Sequence, residues 1–209
     1  MSLACRVIFY LGYVLLLAGC LSPESDTPFS FSHHDLKIQY DPLSHELNSI
    51  DTLTIQYHKN VDRIYFFLQK SLFIESVGVG HQAFNLDEMS DDEIVHICEN
   101  LDESWRQIAA NSQIVTVRIP KSLYSERIQI RYRGFVDLSQ DSTIIWYPAL
   151  PNMSSTFHVT ALIPCDYKIV SSEKIEETVD GTWRLNQWHN STGQANCFIR
   201  VMPTIDDKG

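Results

Sequence analysis

Histidine and the acidic residues are the residue types in this sequence that could support metal or acid–base chemistry. A thermolysin-type zinc hydrolase uses two histidines one helical turn apart, with a glutamate beside the first as base. The only His-Glu dipeptide is His45-Glu46, and Ser49 stands where the second histidine would be. His33 and His34 are adjacent, and the other histidines are scattered singly along the chain. These patterns predict no zinc site.

Other catalytic signatures are missing from the sequence as well. It contains no Gly-x-Ser-x-Gly elbow and no glycine-rich phosphate loop. Carboxylates are plentiful, but no spacing singles out a pair for acid–base work. We therefore predict no catalytic residue, no cofactor and no metal ligand. The 16 Lys+Arg against 26 Asp+Glu give a net charge of −10, which excludes nucleic acid as an expected partner.

The N-terminus has the features of an export signal. Residues 7–17 are apolar and follow Arg6; this run is shorter than the roughly 20 residues that a membrane-spanning helix needs. The next residues, Leu17-Ala18-Gly19-Cys20, resemble the lipobox of bacterial lipoproteins. The resemblance implies that residues 1–19 are a signal peptide and that Cys20 carries the lipid. An uncleaved anchor helix and a signal cut elsewhere are the alternatives.

The lipoprotein resemblance also implies a location. Lipid on Cys20 would hold the chain on a membrane of the bacterial cell envelope, because two or more acyl chains anchor stably. Leu21 rather than aspartate follows the cysteine, which in enteric bacteria favours the outer membrane, facing the periplasm or the surface. Residues 20–34, with Pro23 and Pro28, are predicted to form a flexible tether.

Three cysteines remain beyond the signal and the lipid site. An exported chain permits a disulfide, and an odd number allows at most one intramolecular pair. Cys165 with Cys197 is the preferred pair, because both lie in strand-like sequence and Cys98 lies in a predicted helix. Three buried thiols are an equally open alternative.

Residues 35–209 are predicted to form an all-β domain. Leu53, Ile55 and Tyr57 alternate with polar residues, which is typical of a strand with one buried face. The segments with strand composition are 35–40, 52–58, 63–68, 72–79, 114–119, 127–133, 143–147, 157–163, 167–171, 182–185 and 195–201. Turn signals fall between several of them, so we expect an antiparallel β-sandwich.

One amphipathic α-helix is predicted as an insert at about residues 90–108. Ser90 and Glu93 have the spacing of a capping box, and apolar residues then recur at helical intervals. Residues 87–103 contain eight acids and no Lys or Arg. A solvated outer face is the preferred interpretation; a docking face for a basic partner or a divalent cation is the alternative.

Two further surface features have competing interpretations. Arg127, Arg131 and Arg133 share one face of a strand, where they would form cross-strand ion pairs or meet an acidic ligand or the acidic helix. The aromatic runs 65–67 and 146–147 would be core, or would line a groove.

The order of these motifs resembles the N-terminal β-sandwich domain of the gluzincin aminopeptidases, the membrane alanyl aminopeptidase or aminopeptidase N family. The matching features are the strand and aspartate–proline turn at 37–42, the strands at 64–68 and 72–79, the Tyr-x-Gly ending at 132–134, the aromatic–proline segment at 146–148 and the strands at 157–164 and 167–172. The resemblance covers about residues 35–202.

The departures from that family are as informative as the matches. The zinc-binding helix and the Gly-x-Met-x-Asn motif of the family belong to a following catalytic domain and have no counterpart here. The Thr-Gln-x-Glu segment is not recognisable near residues 152–157, and the acidic insert is not typical. No catalytic residue and no zinc can therefore be transferred.

Three functions remain open at this stage. The first is a non-catalytic envelope lipoprotein that binds or scaffolds, with a protein partner in the envelope. The second is a fragment of a zinc aminopeptidase that lacks its catalytic domain. The third is an unrelated adhesion or solute-binding sandwich, because this architecture is widely reused.

Overall fold

The computed structural model describes residues 27–120, 126–139, 144–194 and 197–204. The predicted signal peptide and Cys20 lie outside these residues. The strands are β1 (Phe29–Asp41), β2 (Glu46–Tyr57), β3 (Arg63–Gln69), β4 (Leu72–Val79), β5 (Gln82–Ala83), β6 (Leu86–Asp87), β7 (Ser112–Arg118), β8 (Arg127–Phe135), β9 (Ser155–Pro164), β10 (Tyr167–Val170), β11 (Glu176–Asp180), β12 (Trp183–Gln194) and β13 (Arg200–Pro203). The helices are α1 (Asp91–Glu99) and α2 (Glu103–Ala110). None of the helices in the described ranges is long and apolar enough to cross a membrane.

An eight-stranded sheet forms one layer of the domain. Its strand order is β11-β12-β9-β1-β2-β8-β4-β5, and every neighbouring pair is antiparallel except β1 with β9. A three-stranded sheet, β3-β7-β6, and a two-stranded sheet, β10-β13, complete the fold. The predicted all-β sandwich is confirmed, with one parallel pair inside it.

The core follows from the alternation of the strands. In β8 the side chains of Ile128, Ile130 and Tyr132 are buried, while the intervening Arg131 is exposed. The core cluster joins such inward residues of the large sheet to those of β3 and β7, including Phe66. Burial of apolar area of this kind is the main term that stabilises a sandwich.

The Tyr-x-Gly ending of β8 has a steric cause. Gly134 lies opposite Leu72 of β4 and has φ +152°. A Cβ at this position would collide with the carbonyl oxygen of Ser71. Glycine therefore allows β4 and β8 to approach each other where the strand leaves the sheet.

The predicted single insert helix is wrong, because two helices fill this segment. The capping box is confirmed: Ser90 Oγ accepts from the Glu93 amide, and Glu93 Oε2 accepts from the Ser90 amide at 3.0 Å. α1 ends at Glu99 with Asn100 as its C-cap, and Asp102 caps α2 by accepting from the Trp105 amide at 2.9 Å. The break places Leu101 between the helices, where it is buried in the core.

Three segment predictions need correction. The tether was predicted to run to residue 34, but β1 begins at Phe29, and Phe29 and Phe31 are buried. Residues 144–147 are not in a strand; the Ile145 carbonyl accepts from the Gln69 amide and holds this segment against the end of β3. The last predicted strand, 195–201, begins only at Arg200, and residues 195–196 lie outside the described ranges.

Candidate functional site

A buried histidine–carboxylate pair lies at the centre of the large sheet. His34 Nδ1 on β1 is 2.8 Å from Asp51 Oδ2 on β2, and the two residues are 1% and 0% exposed. The His34 ring stacks on Phe157 of β9 at 4.9 Å and meets the edge of Tyr147 at 5.4 Å. His34 thus adds a side-chain hydrogen bond between β1 and β2 and a ring-stacking contact between β1 and β9.

An irregularity in β1 turns His34 inward. Phe29 and Phe31 point into the core, and a register shift follows between Phe31 and His33. Beyond this bulge His34 and Leu36 point inward instead, because one extra residue reverses the alternation. His34 was predicted to lie in the tether, and the bulge places it in the core.

The environment of Asp51 disfavours its charged form. Burial raises the pKa of the Asp51 carboxyl, and His34 opposes that rise. Asp51 Oδ1 has no hydrogen-bond partner among the described residues. Burial also raises the pKa of Tyr132 well above its usual value.

The pair is enclosed on its other side by the irregular segment before β9 and the segment before β13. The Cys197 amide donates to Tyr147 Oη at 3.0 Å, and burial raises the pKa of both side chains. His34 and Asp51 are therefore buried, and their contacts connect strands of the large sheet.

An apolar groove of about 500 Å³ lies beside this core and is open to solvent. The start of β1, Tyr65 of β3, α1 and the turn at 150–153 form its walls. Its lining residues are Thr27, Pro28, Phe29, Tyr65, His96, Ile97, Asn100, Leu101, Leu150, Pro151, Asn152 and Met153. Of the two aromatic runs, Tyr65 lines this groove. The other aromatic residues of the runs, Phe66, Phe67, Trp146 and Tyr147, are in the core.

The acidic segment borders the groove through α1. Three of its eight acids, Asp91, Asp92 and Glu93, lie in the first turn of α1, where the helix dipole favours them. Glu93 Oε1 accepts from Arg63 Nη2 at 2.7 Å. Bonds from the Ser90 backbone and side chain, and then from Arg63, lower the pKa of Glu93 to about 2. Most of these side chains are exposed or half-buried, as the solvated-face interpretation requires.

The arginines of β8 lie on the outer face of the large sheet. Arg133 Nε donates to Glu75 Oε1 on β4 at 2.8 Å, and its guanidinium lies 5.1 Å from the centre of the Phe73 ring. This is the cross-strand pairing that was preferred from the sequence. The acidic helix meets Arg63 instead of these arginines.

The predicted disulfide between Cys165 and Cys197 is not formed. Cys98, Cys165 and Cys197 are free thiols, and only Cys197 is buried. In the β10–β13 ladder Tyr167 pairs with Pro203 and Val170 with Arg200, so Cys165 and Cys197 lie beyond opposite ends of it. That ladder alone spans about 10 Å, more than the roughly 7 Å that a disulfide allows between Cα atoms.

The described residues do not fit a peptidase zinc centre. In the described part of the chain, no three His, Cys, Asp or Glu side chains are grouped so that they could hold a metal ion. His45 lies in the turn after β1 with φ 59°, and Glu46 begins β2 with an exposed side chain.

Sequence reasoning missed Asp51 although a signal was present. Leu53 and Ile55 mark the buried face of β2, and extending the alternation backwards puts Asp51 and Ser49 on the same face. A carboxylate at a buried strand position needs a partner. The partner, His34, lies in the segment whose composition predicts a tether.

Comparison with solved structures finds the same fold in M1 zinc metallopeptidases. The Deinococcus radiodurans enzyme matches with a TM-score of 0.57 and 16% identity, over 79% of this chain and 40% of that one. A variant of that enzyme bound to a Tyr-Ser-Ala substrate matches with a TM-score of 0.58 and 15% identity. A two-domain M1 variant bound to L-tryptophan matches over 80% of this chain with a TM-score of 0.58.

These likenesses concern the fold. The chain spans about two fifths of the length of these metallopeptidases. No protein-family model matches the sequence, and no curated protein matches it. An N-terminal domain of the M1 type fits the fold, as the order of sequence motifs predicted.

Proposed function

We propose that this protein is a non-catalytic binding or scaffolding module, held in a bacterial envelope by lipid on Cys20. The observation that carries the proposal is the fold: 79% of the chain aligns with only 40% of a zinc peptidase. The aligned part is a sandwich whose described residues supply no group of metal ligands.

The apolar groove is the surface we assign to binding. Its volume of about 500 Å³ lies within the usual range of roughly 300–1,000 Å³ for ligand sites. α1 contributes His96 and Ile97 to one wall, Asn100 follows as a second polar group, and the acids of the first turn of α1 lie outside this lining. An extended protein segment with apolar anchors and basic flanking residues has the complementary chemistry.

A photo-reactive amino acid placed in the groove tests this assignment. We would replace Met153, which lines the groove, and in a matched control Val179, which is exposed on the edge strand β11. Illumination in cells is expected to attach one defined protein at position 153 and not at 179. Equal products from both positions, or none from 153, would contradict binding in the groove.

The lipid on Cys20 is tested separately by labelling with radioactive palmitate. Cys20→Ala is expected to lose the label and to leave the membrane fraction. Cys5→Ala is the matched control, because that residue lies within the predicted signal and should not affect labelling. Undiminished label in Cys20→Ala would refute lipidation at this residue.

The non-catalytic role is tested with the purified full chain. Aminoacyl chromogenic substrates are expected to stay intact with and without added zinc. Turnover that a chelator abolishes would overturn the proposal.

A second candidate function is part of a larger zinc aminopeptidase. The coverage of about two fifths of the neighbouring peptidases favours it. Sequencing the genomic DNA downstream of codon 209 tests it: an open frame that encodes His-Glu-x-x-His supports a divided or interrupted peptidase. An unrelated adhesion or solute-binding sandwich has less support, because the fold aligns with the peptidase domain over most of the chain.

A further inference from the structure

Two exposed histidines face each other across neighbouring strands of the large sheet. In the antiparallel β9–β12 ladder His158 is directly opposite His189. Both side chains are exposed on the outer face, on the side away from Phe157 and Trp188. Their separation depends on which type of antiparallel pair they form.

The backbone hydrogen bonds of the β9–β12 ladder show whether His158 and His189 form a hydrogen-bonded or a non-hydrogen-bonded pair. The Cys165 amide donates to the Thr182 carbonyl at 2.9 Å, and continuing the β9–β12 register one residue beyond the Pro164–Trp183 pair places these two residues opposite each other. Hydrogen-bonded and non-bonded pairs alternate along a ladder, and the register is regular from Pro164 to His158. His158 and His189 therefore form a non-bonded pair, with Cα atoms only about 4.5 Å apart and the side chains close together.

A carboxylate on the third strand orients one of the two rings. His158 Nδ1 lies 3.2 Å from Asp35 Oδ1 on β1, which pairs with His158 in the parallel β1–β9 ladder. The proton of a neutral His158 ring is then on Nδ1, directed at the carboxylate, and Nε2 carries a lone pair. A carboxylate behind a histidine is the usual arrangement around a metal-bound imidazole.

The neighbouring side chains keep this face suited to a cation. His33, next to Asp35 on the same face, has Nδ1 2.7 Å from Thr156 Oγ1. Burial lowers the pKa of His33, and the His34 and His158 rings act in the same direction, whereas Asp35 opposes them. The environment of His33 thus disfavours its protonated form, and a neutral imidazole is the form that binds metal.

We propose that His158 and His189 chelate one divalent transition-metal ion through their imidazole nitrogens, with Asp35 as a positioning residue and water completing the coordination. Imidazole suits Cu²⁺, Ni²⁺ and Zn²⁺, and Cu²⁺ binds such ligands most tightly. The site has two protein ligands, so it differs from the centres of three or more ligands that the described residues lack. It lies on the opposite face of the large sheet from the His34–Asp51 pair.

Titration of the full chain with Cu²⁺ tests the proposal, after alkylation of the accessible thiols so that these cysteines do not compete. Calorimetry gives the affinity, and electron paramagnetic resonance reports the nitrogens bound to copper. His158→Gln and His189→Gln are each expected to weaken binding by at least about tenfold, because each removes one of two ligands. Each spectrum should change from two bound imidazoles to one.

Two further variants complete the test. Asp35→Asn is expected to weaken binding by about tenfold while two imidazoles stay bound, because it alters orientation and basicity rather than the ligands. His81→Gln, which changes an exposed histidine in the turn between β4 and β5, should leave both readouts unchanged. Unaltered binding in His189→Gln, a single imidazole in the parent spectrum, or equal loss in His81→Gln would each overturn the proposal.

Discussion

His34 on β1 and Asp51 on β2 form a hydrogen-bonded pair of 2.8 Å in which both side chains are buried. The pair connects adjacent strands at the middle of the large sheet, and the stacked Phe157 connects it to β9. A charged group in such a place is tolerated only with its partner, so the pair couples the correct register of three strands to stability.

Asp51→Ala is expected to destabilise the protein by about 3 kcal/mol or more, because it leaves His34 buried without its partner. Urea unfolding followed by circular dichroism gives the free energy of unfolding. Glu75→Ala is the matched control: it breaks the exposed pair with Arg133 and should cost at most about 1 kcal/mol. Equal costs for the two variants would show that the buried pair has no special role.

Acid is expected to remove the contribution of Glu93 to stability. The folded-state pKa of Glu93 is lowered from 4.5 to about 2, so its contribution is present above pH 4.5 and is lost as the pH falls towards 2. Unfolding midpoints of the parent and of Glu93→Gln should therefore differ at pH 6 and converge near pH 2. Glu99→Gln, at the other end of α1, is the control variant. A difference between the unfolding midpoints of the parent and of Glu93→Gln that grows as the pH falls would contradict this role of Glu93.

Gly134→Ala is expected to destabilise the sandwich by more than about 1 kcal/mol, because its Cβ would collide with the Ser71 carbonyl and its φ disfavours any side chain. Gly181→Ala is a useful comparison, since Gly181 also has a positive φ, of +60°, but has open space around it. The thermal midpoint of Gly134→Ala should fall well below that of Gly181→Ala. The reverse order would show that the close approach of β4 and β8 does not explain the glycine at position 134.

The three thiols are expected to differ in reactivity in the native protein. A thiol reagent should modify Cys98 and Cys165, which are half-buried, and should modify Cys197 only after unfolding, because Cys197 is buried and its pKa is raised. Mass spectrometry of labelled peptides measures this. A peptide that links Cys165 to Cys197 would instead support the disulfide preferred from the sequence alone.

Local patterns in the sequence determined most of the secondary structure. The alternation in β2 and β8 and the turn residues predicted the strands, because a half-buried strand imposes a period of two on its side chains. The capping box of α1 was predicted for the same kind of reason, since its hydrogen bonds join Ser90 to a residue only three positions away. The shared order of motifs pointed to the fold that the structural comparison finds.

Only the tertiary structure decided the features that depend on distant residues. The bulge in β1 turns His34 towards Asp51, and no local pattern fixes where an extra residue enters a strand. The distance between Cys165 and Cys197 is set by the β10–β13 register, and the pairing of His158 with His189 is set by the register of β9 with β12. Register depends on how the whole sheet packs, so these contacts became visible only when the strands were assembled.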